Sequence, residues 1–128
     1  APFSKFSVGA ALTMADDPKK NIFTGSNVEN SSFGATNCAE RTALFSASSS
    51  GFRCIRIMAL AFAEKLPPET SLSDRSPCGI CRQVLYEFAD DQTLLAIEST
   101  EDGRLCDLLD IARLLPWGFR FQGKPTSG

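Results

Sequence analysis

Hydrophobic and polar residues alternate in the first part of the chain, and the alternation predicts two strands and a loop. Residues 6–13 alternate with the period of a strand, and the apolar side consists of Phe6, Val8, Ala10 and Leu12. A polar turn at 16–20 separates this strand from a second one predicted at 21–28, so the two are expected to form a hairpin. Residues 30–37 are small and polar, which indicates a loop.

Longer apolar segments in the middle of the chain predict two helices and a buried strand. Residues 38–50 carry apolar residues at helical spacing and are followed by a glycine. Residues 54–63 are nearly all apolar, which is typical of a strand covered on both faces. Residues 66–77, rich in Pro and Ser, predict a loop, and a second helix is predicted to follow it and run to about Ala89, with Ser76 as its cap and Pro77 in its first position. Its inward-facing residues are predicted to be Ile80, Val84, Leu85 and Phe88.

The last part of the chain predicts two further strands and a short helix. The strands are expected at 93–97 and 104–108, around a turn at Asp102 and Gly103, and Asp110 can cap a helix that ends at Pro116. The order β-β-α-β-α-β-β-α predicts an α/β domain built on a mixed sheet of about five strands flanked by helices. At 128 residues the whole chain is expected to form a single domain, because it is long enough for one core but not for two.

Composition narrows the possible partners. Thirteen basic and 15 acidic residues are interspersed, and one Trp and one Tyr offer few stacking surfaces, so a nucleic acid polymer is not expected as a partner. No stretch approaches the roughly 20 apolar residues of a membrane span. The five cysteines are an odd number and no secretory signal pattern is present, which favours a reduced, cytoplasmic protein with thiols as metal ligands. Because the chain has no histidine, a zinc site must use Cys, Asp or Glu.

Three cysteines are candidates for one metal site. Cys78 and Cys81 lie three residues apart at the start of a predicted helix, so both thiols can face one ion. Alone, this spacing also fits a redox motif, a structural zinc or chance. Cys38 opens the other helix and is the natural third ligand, although alone it also fits a buried core thiol. Three protein ligands with an open fourth position are typical of catalytic zinc.

Glu40 and Arg41 are candidates for supporting roles at that metal site, Glu40 in proton transfer and Arg41 in stabilising the thiolates. Three thiolates leave Zn²⁺ with a net charge of −1, and the helix N-termini and hydrogen bonds from Arg41 can offset it. Zinc lowers the pKa of a bound water, and Glu40 can then move its proton. In the alternative interpretation, Glu40 forms a capping box with Asn37. The N–H groups of Ala39 and Glu40 can also receive a substrate carbonyl.

Several stretches of the chain closely resemble the small homotetrameric cytidine deaminases, in order and at compatible spacing. These stretches are residues 2–11, 25–30, 38–43, 76–84 and 114–119. The resemblance implies a cytidine deaminase-like three-layer fold and the hydrolytic deamination of cytidine and deoxycytidine in pyrimidine salvage. The three-cysteine form of the zinc-deaminase signature is the one that the chain carries.

The resemblance also implies the roles of the catalytic residues. One Zn²⁺ per chain would be held by Cys38, Cys78 and Cys81, and a water activated by it would attack C4 of cytosine. Glu40 would protonate N3 and then help ammonia leave, and Arg41 would donate hydrogen bonds to the thiolates.

The remaining implied residues bind the nucleoside. Asn27 and Glu29 would hydrogen-bond the ribose 3′-hydroxyl, which agrees with their two-residue spacing on one face of a strand. Phe6 would pack against the pyrimidine, and Phe119 would reach the base from a neighbouring subunit of a homotetramer. Core packing is the alternative role for either phenylalanine. Ala39 would contribute its backbone to the pocket.

The sequence departs from the family at several places, and other functions stay open. An N-terminal helix that usually precedes the Pro-x-Ser segment is expected to be missing, and Phe33 stands where Tyr is common. Cys54 and Cys106 are interpreted as strand-packing residues. A deaminase of the blasticidin S type shares the zinc motifs, but Asn27 and Glu29 favour a nucleoside. A structural zinc or interaction module is the alternative from a different class.

Overall fold

The computed structural model describes residues 1–100 and 106–120, which build five strands and four α-helices with one short 3₁₀ turn. In chain order the elements are β1 Val8–Met14, β2 Phe23–Ser26, the 3₁₀ turn Phe33–Ala35, α1 Ala39–Ser49, β3 Ile55–Phe62, α2 Leu72–Arg75, α3 Gly79–Glu87, β4 Leu94–Glu98, β5 Cys106–Asp110 and α4 Ile111–Leu114. None of these helices combines the length and the apolar composition needed to cross a membrane.

The strands form one mixed sheet in the order β2-β1-β3-β4-β5. Strands β3 and β4 are parallel, with Met58 opposite Leu95, and α2 and α3 lie in the connection between them. The other three pairings are antiparallel. A parallel pair needs a long crossover connection, whereas β1 and β2 need only a hairpin. The α/β prediction with a mixed five-stranded sheet is therefore confirmed.

The core lies between one face of the sheet and the helices. Leu12, Met58 and Leu95 are fully buried on that face and belong to the same cluster as Ala43 and Leu44 of α1. On the opposite face Ala59 and Ala61 are exposed. The prediction that β3 is covered on both faces is therefore wrong, because small apolar residues on the open face concealed the alternation of burial.

The first residues of both main helices differ from the prediction. Cys38 and Cys78 are the N-cap residues of α1 and α3, and neither side chain makes a capping hydrogen bond. Asn37 instead pairs with Val28 through two backbone hydrogen bonds of 2.8 Å, so the capping-box interpretation of Asn37 and Glu40 is wrong. Both thiols are left available for another partner.

A short helix, α2, occupies the segment that was predicted to be a loop. Ser76 is the C-cap of α2 and not the N-cap of α3, and its hydroxyl donates to the carbonyl oxygen of Leu72 at 2.7 Å. Pro77 consequently lies between the two helices. Ile80, predicted to face inward, is 63% exposed, whereas Leu85 is buried as predicted. Consecutive residues of a helix point about 100° apart, so Ile80 lies to one side of the face that Cys81 and Leu85 bury.

The C-terminal strand ends later than predicted, and β2 is shorter. Strand β5 runs over Cys106–Asp110 and so continues past residue 108, whereas the predicted turn at 102–103 and the predicted strand start at 104 lie outside the described residues. Cys54 is buried as expected, but Cys106 is exposed, so its interpretation as a packing residue is wrong. Because β2 ends at Ser26, Asn27 and Glu29 lie beyond the strand.

Gly25 allows α1 to pack directly on β2. A Cβ atom at this position would lie 2.5 Å from the backbone nitrogen of Ala43 and 2.9 Å from the Cβ of Thr42. We expect Gly25→Ala to lower the free energy of unfolding by about 1–3 kcal/mol, because neither neighbour can move without shifting the helix. Urea unfolding measures the change. Gly9→Ala is the matched control, since nothing lies within 4 Å of its Cβ position, and equal stability of the two variants would contradict the packing argument.

Candidate active site

Three thiols from two helix starts meet at the edge of the core. Cys38 precedes α1, Cys78 precedes α3, and Cys81 lies in the first turn of α3. Their Sγ atoms all lie within 4.8 Å of one another, and those of Cys38 and Cys78 are 3.8 Å apart. Tetrahedral zinc with bonds of about 2.3 Å to sulfur requires sulfur atoms about 3.8 Å apart. The number, type and spacing of these donors therefore fit one zinc ion.

Hydrogen-bond donors surround two of the three thiols. Burial alone would raise the pKa of Cys78, but hydrogen bonds from the backbone N–H groups of Cys81 and Ile80 help to lower it overall. The guanidinium group of Arg41 lies 3.6 Å from the Sγ of Cys38 and also donates to the carbonyl oxygen of Thr36 at 3.1 Å. A cation and helix N–H groups both stabilise negative charge on sulfur. Arg41 thus contacts the cluster as the sequence predicted.

Burial has the opposite effect on the third thiol. Cys81 is fully buried, and its desolvation, followed by the nearby charge of Glu40, raises the pKa of the thiol. A metal ion is the partner that overcomes such a penalty, because thiol ligands bind as thiolates. This thiol is therefore the one that depends most on an ion in the cluster.

Glu40 places a buried carboxyl group beside the thiols. The residue lies in the first turn of α1 and is 6% exposed. Burial raises the pKa of this carboxyl group, and hydrogen bonds to its own backbone N–H and to Cys81 oppose the rise only in part. A carboxyl group with a raised pKa can accept and release a proton near neutral pH.

A cavity of about 200 Å³ joins Glu40 and the thiols of Cys38 and Cys78 to the predicted nucleoside-binding residues Phe6, Asn27 and Ala39. The phenyl ring of Phe6 stacks on that of Phe62 with centroids 5.7 Å apart. The side chain of Asn27 accepts from the N–H of Val8 at 3.0 Å and donates to the carbonyl oxygen of Phe6 at 2.7 Å. Asn27 thereby fixes the backbone on either side of residue 7 at the cavity wall.

Two of the predicted substrate-binding residues do not line this cavity. Glu29 lies in a neighbouring cavity, where it accepts hydrogen bonds from the backbone N–H groups of Phe3 and Ser4 and from the Ser4 hydroxyl. The hydroxyl bond is the main cause of its lowered pKa. Phe119 is 64% exposed, and its carbonyl oxygen accepts from the Gln83 amide at 2.9 Å, on the outer side of α3.

Several cavity residues were not predicted. They are Val8, Leu60, Phe62, Asp74, Arg75 and Ser76. The position of Ser76 beside the Pro-Cys pair was a usable signal, because residues next to a ligand share its cavity. Arg75 gave no periodic or motif signal, since its neighbours were assigned to a loop.

Three thiols at zinc-binding spacing, with a buried carboxyl group in the same cavity as two of them, define a zinc site with a proton-transfer group beside it. Residues 1–97 match the family described as the cytidine and deoxycytidylate deaminase zinc-binding region. The chain is 40% identical to a cytidine deaminase of Halalkalibacterium halodurans over 118 residues, which are 92% of this chain and 80% of that one. It is 39% identical to a cytidine deaminase of Sporosarcina psychrophila over 118 residues, covering 92% and 78%.

The fold matches solved structures as well. A cytidine deaminase from Burkholderia pseudomallei superposes with a TM-score of 0.75 at 36% identity, covering 93% of this chain and 86% of that one. A second, from Mycobacterium leprae, gives 0.66 at 31% identity, covering 91% and 83%. This chain therefore belongs to the cytidine deaminase family. It is a hydrolytic deaminase, and zinc is its cofactor.

Proposed function

We propose that this chain hydrolyses cytidine and deoxycytidine to uridine and deoxyuridine with release of ammonia. The observation that carries the proposal is the buried carboxyl group of Glu40, which shares one cavity with Cys38 and Cys78, two of the three thiols at zinc-binding spacing. The relatives at about 40% identity are named cytidine deaminases, which supports the same substrate here.

The mechanism assigns each cluster residue a role. Cys38, Cys78 and Cys81 would hold the zinc, which when bound supplies the positive charge that activates water at neutral pH. Glu40 would take a proton from that water and deliver it to N3 of the pyrimidine while the oxygen adds to C4. Glu40 would then carry the second proton to the departing amino group, so that ammonia leaves and the C4 carbonyl forms. Its burial supports this role, because the raised pKa lets one carboxyl group serve as base and then as acid.

The base would be held between the aromatic wall and the start of α1. Phe6, which stacks on Phe62, presents an apolar surface to the cavity. The N–H of Ala39 lies at the helix start, where backbone N–H groups lack helical partners and can bind the pyrimidine carbonyl. Both features favour a flat, polar-edged ligand such as cytosine.

Asn27 and Glu29 are proposed to bind the ribose 3′-hydroxyl. Glu29→Gln keeps an oxygen acceptor for Phe3 and Ser4 but removes the charge, so the N-terminal segment should stay in place. We expect KM for cytidine to rise by about tenfold, since a hydrogen bond to a charged group is worth about 1.5–3 kcal/mol. Steady-state kinetics on cytidine and on free cytosine measure the effect.

The kinetic comparison separates ribose binding from general damage. Glu69→Gln, at an exposed position, is the control with the same chemical change. Equal effects of Glu29→Gln on cytidine and on cytosine would contradict the ribose assignment, because the free base has no hydroxyl to lose.

The active enzyme is proposed to be a homotetramer in which Phe119 completes the cavity of a neighbouring subunit. Phe119 is exposed and does not line the cavity of its own subunit, which supports this arrangement. A protein that is monomeric by sedimentation equilibrium and fully active in the deamination assay would rule it out.

We also propose a role in pyrimidine salvage in a reducing, cytoplasmic setting, where the ligand thiols stay reduced.

Absorbance change on addition of cytidine is the direct test of the function. The purified zinc-loaded protein should deaminate cytidine and deoxycytidine, and much less of the free base. Turnover of blasticidin S without turnover of either nucleoside would replace the proposal, and absence of turnover on all substrates with zinc bound would favour a structural zinc site.

A further inference from the structure

Arg75 is a buried cation that joins the segment before Cys78 to strands β4 and β5 of the sheet. The residue ends α2, three positions before Cys78, and is only 8% exposed. Its Nη1 donates to the carbonyl oxygen of Glu98, at the end of β4, and to the carboxylate of Asp107, on β5, both at 3.0 Å. One side chain therefore connects the thiol-bearing segment to two strands.

The segment 71–78 is held together internally by hydrogen bonds. The hydroxyl of Ser71 accepts from the N–H of Asp74 at 3.1 Å, and the hydroxyl of Ser76 donates to the carbonyl oxygen of Leu72 at 2.7 Å. These bonds make the segment one unit but do not attach it to the sheet. Leu72 packs against the hydrophobic core, and Arg75 supplies the hydrogen bonds that fix the unit relative to the strands.

Burial of Arg75 is energetically unfavourable without its partners. Its Nε is buried and has no hydrogen-bond partner in the structure. A buried cation is tolerated only when it is paired, and replacing a buried ion pair by packed apolar residues is often neutral or stabilising. Stabilisation of the fold is therefore a weak explanation for a buried arginine at this position. Its contacts agree better with a role in fixing the position of the 71–78 segment.

Position matters here because Arg75 lines the same cavity as two of the thiols. Arg75, Ser76 and Cys78 line it from the segment before α3, and Cys38 and Glu40 line it from the start of α1. Cys38 and Cys78 come from different helices, and their Sγ atoms must stay about 3.8 Å apart to share a zinc ion. A small shift of the 71–78 segment would move Cys78 away from Cys38.

We propose that Arg75 is a positioning residue that, through Asp107 and the Glu98 carbonyl, holds Cys78 at zinc-binding distance from Cys38. The inference rests on the zinc ligands proposed above. It assigns a role in metal retention to Asp107, a residue outside the cavity whose side chain is 44% exposed.

The test measures zinc release to an excess of a chromogenic chelator from the zinc-loaded protein. Asp107→Asn keeps the size of the side chain and removes the charge, and we expect zinc to leave about tenfold faster, as for other groups that support metal ligands. Arg75→Gln should behave alike. Arg75→Lys should come close to the wild-type rate, because one ammonium group can donate to both oxygen acceptors.

Kinetics and an unrelated ion pair provide the controls. In Asp107→Asn we expect kcat to fall with the zinc occupancy while KM for cytidine stays within about twofold, because no substrate contact is removed. Arg113→Gln breaks the exposed Arg113–Asp110 pair, whose nitrogen and oxygen are 3.4 Å apart, and should leave zinc release unchanged.

The outcomes separate this inference from the ligand assignment. Wild-type release rates in both Asp107→Asn and Arg75→Gln, with lower unfolding temperatures alone, would overturn the positioning role. If the wild-type protein itself binds no zinc, the ligand set fails and this inference fails with it. Faster release in both variants with rescue by Arg75→Lys would support the role.

Discussion

Replacement of Glu40 by Gln is expected to leave the zinc in place and to abolish nearly all deamination. Gln has the same shape but cannot carry a proton, and positioned acid–base groups contribute about 10²–10⁴-fold to rate. We expect kcat for cytidine to fall by about a thousandfold with little change in KM. Because burial already disfavours the charge on Glu40, the neutral amide should not lower the unfolding temperature.

Zinc analysis and kinetics on the same preparation decide the outcome. Glu69→Gln carries the identical chemical change at an exposed position and should keep wild-type kcat and zinc content. If Glu40→Gln retained most of its activity, proton transfer would belong to another group. If it lost zinc or unfolded, the carboxylate would be acting mainly in the structure of α1.

Removal of one thiol from the cluster has the second large effect. Cys81→Ala deletes a fully buried ligand and leaves two donors, which cannot hold a tetrahedral zinc with an open position. We expect zinc affinity to fall by more than the roughly 10–100-fold that loss of a supporting residue causes, and activity to fall with it. Competition with a zinc-binding dye measures the affinity.

Cys106→Ala is the matched control for the thiol variant. Cys106 is an exposed thiol outside the cluster, so its removal should change neither zinc affinity nor turnover. A Cys81→Ala protein that still bound one zinc per chain with wild-type affinity would contradict the three-thiol site. Loss of zinc from Cys106→Ala would show that the thiols had been assigned wrongly.

The part of the site that the sequence predicted is the part that is local in the chain. Cys78 and Cys81 belong to one helix start, and Cys38, Glu40 and Arg41 belong to another. Helical geometry alone puts the members of each group close together. Only the meeting of the two groups depends on the fold, and the absence of histidine made that meeting a strong expectation.

The features that sequence reasoning missed depend on distant contacts. Arg75 is bonded to residues 23 and 32 positions away, and Glu29 to residues 25 and 26 positions away, so no periodic pattern marks either interaction. The helix starts were misplaced, by one residue in α1 and by two in α3, because Asn37 and Ser76 are good caps in isolation. In the structure Cys38 and Cys78 occupy those N-cap positions without capping, which leaves their sulfur atoms for the metal.

The most direct test of the central claim is a titration of zinc-free protein with zinc while the rate of cytidine deamination is followed. If three thiols hold one catalytic zinc beside Glu40, activity should rise linearly and level off at one zinc per chain. The same titration of Glu40→Gln should show the same binding with almost no activity. Full activity in the zinc-free protein, or a plateau that bears no relation to one zinc per chain, would contradict the account.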